Sequence, residues 1–299
     1  MIVVTDDRCA GYQRAGHPEC PERVSRTAAR LRRQTTLPVT WAEPGPVAEV
    51  QLRRAHSDRH LAILDQAYDF DADTPAYPEI REHALRSVGG ALHALESALR
   101  GDTAFSLFRP PGHHATTDRA MGFCYLNSVA IAVLEALARG VPKVAVLDFD
   151  VHHGNGTEAI LLREPRAAYF SVHQYPAYPG TGAASYRNAH NYPVPPGATR
   201  AEYRSALASA VADLGRFGPS LVAVSAGFDA YKDDPLSHAA LEAEDFHWLG
   251  EAVRALGVPA FSILEGGYSP ALPDLVFAYL RGLAGLNGEL TSSPPAAPA

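Results

Sequence analysis

The 299-residue chain predicts an α/β fold, a parallel sheet wrapped by helices on both sides. Short apolar runs alternate with segments of helical periodicity. The runs are apolar at consecutive positions, as strands buried on both faces are. Polar strings follow the runs, and parallel α/β sheets collect ligands at the carboxyl ends of their strands.

Taken in order, the apolar runs place strands at residues 2–5, 104–108, 144–149, 167–172, 221–225 and 260–264. The helical patterns fall at residues 22–33, 78–100, 128–139, 155–163, 200–217, 242–256 and 274–286. Arg30 to Arg33 reads as the solvated face of the first helix. No Ser/Gly/Pro-rich linker interrupts the interior, so residues 1–290 are expected to form one domain. Residues 291–299, rich in Pro and Ala, are expected to be a disordered tail.

The net charge is -7, and the only lysines among 26 basic residues are Lys143 and Lys232. No basic run suited to tracking a phosphate backbone occurs, so no direct nucleic-acid partner is expected. Cys9, Cys20 and Cys124 are odd in number and widely spaced, which fits a reducing compartment rather than a disulfide framework. Met1 to Thr5 turns acidic at once, and no apolar stretch is long enough to span a bilayer. The expectation is a soluble cytoplasmic protein with no membrane partner.

The most informative string runs from Val144 to Gly156, where Asp148, Asp150 and His152 alternate at the end of an apolar run. Alternate positions on a strand share one face. Burying neighbouring carboxylates is costly unless a cation compensates them. Asp150 and His152 are therefore candidate ligands for zinc or a similar ion, with Asp229 at another strand end as the third. Helix capping and ion pairing are the plainer roles for such residues. Asn155, just before a helix, can equally be an N-cap.

His113 and His114 follow Pro110-Pro111-Gly112, where prolines stiffen the loop and the glycine permits close approach. Adjacent imidazoles beside a metal can serve as general base and electrostatic helper. Asp148 and Asn155 are at hand to fix their tautomers. Tyr268 after Gly266-Gly267 can present a hydroxyl to a developing oxyanion. Cys124 is a formal nucleophile, although its apolar neighbours read as packing. No Gly-x-Ser-x-Gly elbow occurs, and Pro179-Gly180-Thr181-Gly182 lacks the Gly-Lys-Ser/Thr ending of a P-loop.

Together the strings resemble the histone deacetylase superfamily, including bacterial deacetylase-like amidohydrolases. They are Arg109 to Ala115, Gly122 to Asn127, Asp148 to Gly156, Ala226 to Asp229 and Glu265 to Tyr268. His17-Pro18-Glu19 with Pro21-Glu22-Arg23 resembles the first active-site loop of that family. The resemblance implies a three-layer arginase/deacetylase fold with a mostly parallel sheet of about eight strands. It implies Zn2+ or Fe2+ on Asp150, His152 and Asp229, His114 as general base then acid, and His113 as its helper. Asp148 would orient His113, and Asn155 would orient His114. Asn at 155 and Glu at 265 look like the class II branch, and a neutral Asn155 leaves His114 less basic than an Asp would.

The resemblance further implies a tunnel walled by Phe123 and Tyr178, with Gly122 facing the substrate chain. Leu236 and Asp73 would stand at its mouth. It also implies a structural K+ near Asp148, Asp150, His152, Ser171 and Val172. The implied activity is hydrolysis of N-acetyl-lysine or a similar acylated amine to acetate and free amine. Leu236 leans toward acetyl-lysine, because polyamine-specific relatives carry an acid there. Asp73 and the charge of -7 keep an acetylpolyamine deacetylase as the alternative. A non-catalytic acyl-lysine binder and a two-metal ureohydrolase are the other readings. The oligomeric state is not legible.

Overall fold

The structure, a computed structural model, describes residues 1–286. The expected tail at 291–299 lies outside the described residues. In chain order the elements are β1 (Ile2–Val4), α1 (Glu22–Arg33), β2 (Thr40–Ala42), α2 (Glu49–Leu52), α3 (Asp58–Ile63), α4 (Ile80–Leu99), β3 (Ala104–Ser106), α5 (Ser128–Ala138) and β4 (Val144–Asp148). They continue with α6 (Asn155–Leu161), β5 (Ala167–Gln174), β6 (Ala189–Val194), α7 (Arg200–Phe217), β7 (Leu221–Ala226), α8 (Ala243–Ala255), β8 (Ala260–Leu264) and α9 (Leu272–Leu283).

The strands form one eight-stranded sheet in the order β2-β1-β3-β8-β7-β4-β5-β6. Every pairing is parallel. Helices flank it: α4, α5 and α6 pack as one train, and α1, α9, α8 and α7 as another. Strands β4, β5 and β7 are buried at every residue, which is why their sequences read as unbroken apolar runs. The core spreads over both faces of the sheet from Val3 to Leu283.

The edge strands β2 and β6 depart from the expectation. Neither has two buried faces: β2 has no buried residue, and β6 mixes buried and open positions around Pro193. A proline is tolerated there because edge strands leave backbone N–H groups unpaired. The short helices α2 and α3 were also not expected. Within the sheet, β4 stops at Asp148, so Asp150 and His152 lie in the turn beyond it and not on the strand. The three residues thus do not share a strand face.

The strand order places the functional loops. The chain leaves β3 and re-enters three positions away at β4, and β7 and β8 later fill the two-strand gap. Parallel pairing brings the carboxyl ends of β3, β4, β7 and β8 side by side, at the crevice where such sheets bind ligands.

Candidate active site

Asp150, His152 and Asp229 are brought together, their ligand atoms all within 4.8 Å of one another. His152 Nδ1 stands 3.1 Å from both Asp150 Oδ1 and Asp229 Oδ2. One ring nitrogen carries at most one proton and cannot donate fully to two carboxylates. The spacing fits ligands about 2.0–2.2 Å from a shared tetrahedral ion. Burial, then the Asp150 charge, pushes the Asp229 carboxyl up to about 7. Two carboxylates this close resist joint ionisation unless a cation joins them. The donor set of two carboxylate oxygens and one imidazole nitrogen fits a first-row divalent ion. It is the cluster of this kind among the described residues.

Glycines let the surrounding backbone close on these carboxylates. A Cβ at Gly227 would lie 2.1 Å from Asp150 Oδ2, and one at Gly266 would lie 2.2 Å from Asp229 Oδ2. In their place, the Gly266 N–H donates to Asp150 Oδ2 at 2.7 Å and the Val151 N–H to Asp229 Oδ1 at 2.8 Å. The carboxylates are thus aimed by backbone donors from neighbouring loops.

The histidine pair sits alongside. The His113 and His114 rings are 4.0 Å apart, and the His114 ring lies 6.1 Å from that of His152. His113 Nδ1–H donates to Asp148 Oδ2 at 3.1 Å, and His114 Nδ1–H to Asn155 Oδ1 at 2.8 Å. Asn155 opens α6 but does not cap it: Gly154 holds the cap position. Burial works against charge on His113, yet Asp150 and Asp148 outweigh it and raise its pKa to about 10. Burial, then the charges of His113 and His152, hold His114 well below its ordinary value. The neighbours therefore titrate in opposite directions, one a cation and one a neutral base.

A cavity of about 240 Å³ opens above them. Gly122, Phe123, Tyr178, Leu236 and Asp73 all line it, with His113, His114, His152 and Tyr268. Tyr178 and Leu236 are 39% and 37% exposed, which puts them at the mouth. Gly122 has φ 58, and a Cβ there would meet His114 Cδ2 at 2.5 Å, so only glycine lets this wall approach the imidazole. Phe123 keeps φ 68, held by its N–H donating to Thr74 Oγ1 at 3.1 Å. Burial drives the Tyr268 hydroxyl pKa well above 10, keeping it a donor. Cys124 is buried and its thiol is likewise pushed far up by burial, which removes it as a nucleophile.

Asp148, the expected potassium ligand, faces Ser171 across the β4–β5 register. Ser171 Oγ contacts His173 Nδ1 at 2.8 Å, and the Val172 carbonyl accepts from the Tyr203 hydroxyl at 3.3 Å. The Asp148 carboxylate also accepts from the Tyr169 hydroxyl at 2.9 Å.

The organising roles of several residues within the named strings escaped the sequence reading. Glu265, fully buried, accepts from the Gly112 and His113 N–H groups at 2.7 and 3.1 Å and orients the histidine loop. Arg109 binds Glu19 through Nε at 2.7 Å and Nη2 at 2.8 Å. Arg23 bonds Glu19 at 3.2 Å and the Gly267 carbonyl at 2.7 Å, and reaches the Glu265 carbonyl. This buried chain ties the first loop to the Tyr268 turn. Its sequence signal was present in His17-Pro18-Glu19 and Pro21-Glu22-Arg23, but spacing alone gives such charges no partner.

Comparison with known proteins agrees with this geometry. A histone deacetylase domain model matches residues 17–283. A probable deacetylase of Methanothermobacter thermautotrophicus is 40% identical over 99% of this chain and 94% of its own. A histone deacetylase-like amidohydrolase of Pseudomonas aeruginosa is 37% identical over 92% of this chain and 79% of its own. The crystal structure of an acetylpolyamine aminohydrolase from Burkholderia pseudomallei superposes with a TM-score of 0.88 at 28% identity, covering 96% of this chain and 100% of that one. With its sequence strings, parallel sheet and relatives in agreement along nearly the whole sequence, the chain belongs to the histone deacetylase family.

Proposed function

We propose that the protein is a metal-dependent deacetylase that releases acetate from N-acetyl-lysine side chains or similar acylated amines. The observation that carries this reading is the seat formed by Asp150, His152 and Asp229 beside the His113–His114 pair at the cavity. A zinc or ferrous ion held there supplies Lewis acidity toward the acyl carbonyl and water.

The chain's own residues do the rest. His114 presents a bare Nε2, because its Nδ1–H is engaged by Asn155. That nitrogen takes the proton of the attacking water and later returns it to the leaving amine. His113, held by its Nδ1–H on Asp148 with its ring 4.0 Å from that of His114, assists electrostatically as negative charge develops nearby. The Tyr268 hydroxyl donates to the oxyanion that forms at the carbonyl carbon. Phe123 and Tyr178 wall the linear substrate chain, and Gly122 leaves room for it. A structural K+ belongs to the same reading, with Asp148, Asp150, His152, Ser171 and Val172 around it. The oxygen-rich end of β4 and β5 supports that ion.

Leu236 at the mouth favours a neutral-tailed acyl amine such as acetyl-lysine. Asp73 in the same rim supports acetylated polyamines as the second reading. The test is acetate release from an acetyl-lysine peptide and acetylspermidine in parallel, with metal content measured on the same sample. Release from either supports the deacetylase reading. Inactivity on both, with one transition-metal ion bound per chain, overturns it.

A further inference from the structure

Asp234 is only 5% exposed and does not line the cavity. Its two oxygens serve three backbone N–H groups. Oδ1 accepts from Leu236 at 3.0 Å, a local turn. Oδ2 accepts from Tyr268 at 2.7 Å and from Ser269 at 3.1 Å, across 34 and 35 residues of chain. One carboxylate therefore joins the segment carrying the rim residue Leu236 to the backbone that carries the Tyr268 hydroxyl.

We propose that Asp234 is a positioning residue that sets the reach of the Tyr268 hydroxyl toward the reacting carbonyl; this rests on the deacetylase reading. Tyr268 follows Gly266 and Gly267, the latter at φ 118, and such a turn resists rotation weakly. Arg23 lies over the Tyr268 ring, 4.8 Å from its centre, and the Phe123 ring stands nearly perpendicular to it with centroids 5.7 Å apart. Neither contact is a hydrogen bond, so neither fixes how far the ring, and with it the hydroxyl, reaches from the turn. The bond from the Tyr268 N–H to Asp234 fixes that coordinate. A fold staple alone would explain burial. It would not explain why the same carboxylate holds the rim and the oxyanion donor together.

The test is the isosteric Asp234→Asn, whose amide N–H must face at least one of the three backbone donors. On the better of the two substrates above, kcat is expected to fall about tenfold or more with KM within about twofold, as small misplacements of a reacting group do. Metal content is expected to be unchanged. Tyr268→Phe alone is expected to lose on the order of a hundredfold in kcat, and adding Asp234→Asn to it is expected to cost nothing further. Wild-type kcat in Asp234→Asn, or an equal fold-loss with and without the Tyr268 hydroxyl, overturns the proposal and leaves the deacetylase reading standing. Wild-type turnover in Tyr268→Phe overturns the donor role, and this inference with it. Should Asp234→Asn fail to fold, Asp234→Glu keeps the charge but moves it along the chain, and the same cycle of single and double variants decides the proposal.

Discussion

His113 and His114 share a loop, a solvent-free setting and an imidazole, yet one is driven to hold a proton and the other to lose it. The difference lies in the charges each buried ring faces, Asp150 and Asp148 for His113 and the neighbouring His113 and His152 for His114; the Nδ1–H of the first meets a carboxylate and that of the second a neutral amide. This gives a direct test. Asn155→Asp places a negative charge on the His114 Nδ1–H and raises that pKa. The base must be neutral to act, so the acid limb of the kcat/KM profile is expected to move to higher pH. An unmoved limb would separate His114 from the proton transfer. The same residues show what sequence alone can carry. Asp150, His152 and Asp229 were legible because no apolar setting tolerates such neighbours without a cation. The anchoring roles of Asp234 and Glu265 were not, because no local pattern tells which distant backbone N–H groups a carboxylate will accept from.

At the scale of elements, strands with two buried faces announced themselves and edge strands did not. β4, β5 and β7 are apolar because both sides meet helices. β2 and β6 exist because a neighbour offers hydrogen bonds, which no local pattern encodes. Helix boundaries written by local chemistry were read well. In α7, Thr199 and Glu202 form a reciprocal cap, and Gly218 ends the helix at φ 68. The α8–α9 contact depends on missing side chains. A Cβ at Gly282 would lie 1.9 Å from the His247 carbonyl oxygen, and one at Gly250 would lie 2.2 Å from that of Tyr279. Gly282→Ala must push the helices apart and is expected to cost about 1–3 kcal/mol. Thermal melting checks this, and an unchanged Tm would show that the pair has slack.

At the scale of the whole molecule, the loops of the candidate site, from separate strand ends, are fastened to one another by buried charge. Glu265 reaches the histidine loop, Gly266 the Asp150 carboxylate, Asp234 the Tyr268 turn, and Arg23 of the first-loop string the Gly267 carbonyl. Such a molecule is sensitive to acid. Burial, then His60, lowers the His56 pKa to about 3, with its ring accepting from the Asn127 N–H and donating to the Thr116 carbonyl. The unfolded chain takes up that proton near pH 6.5 and the folded one only near 3, so stability is full above 6.5 and falls with pH below it. A loss on the order of a few kcal/mol is expected by pH 4. The Tm of wild type should drop more steeply over this window than that of His56→Gln. Parallel slopes would contradict it.

The most direct test is anomalous diffraction at a transition-metal edge from crystals of the full chain grown with zinc. One peak is expected, about 2.0–2.2 Å from His152 Nδ1 and from an oxygen of each of Asp150 and Asp229. A peak elsewhere, a second peak of equal weight in the cavity, or no peak at these three side chains would contradict the central claim that they jointly seat a single ion beside the imidazole pair.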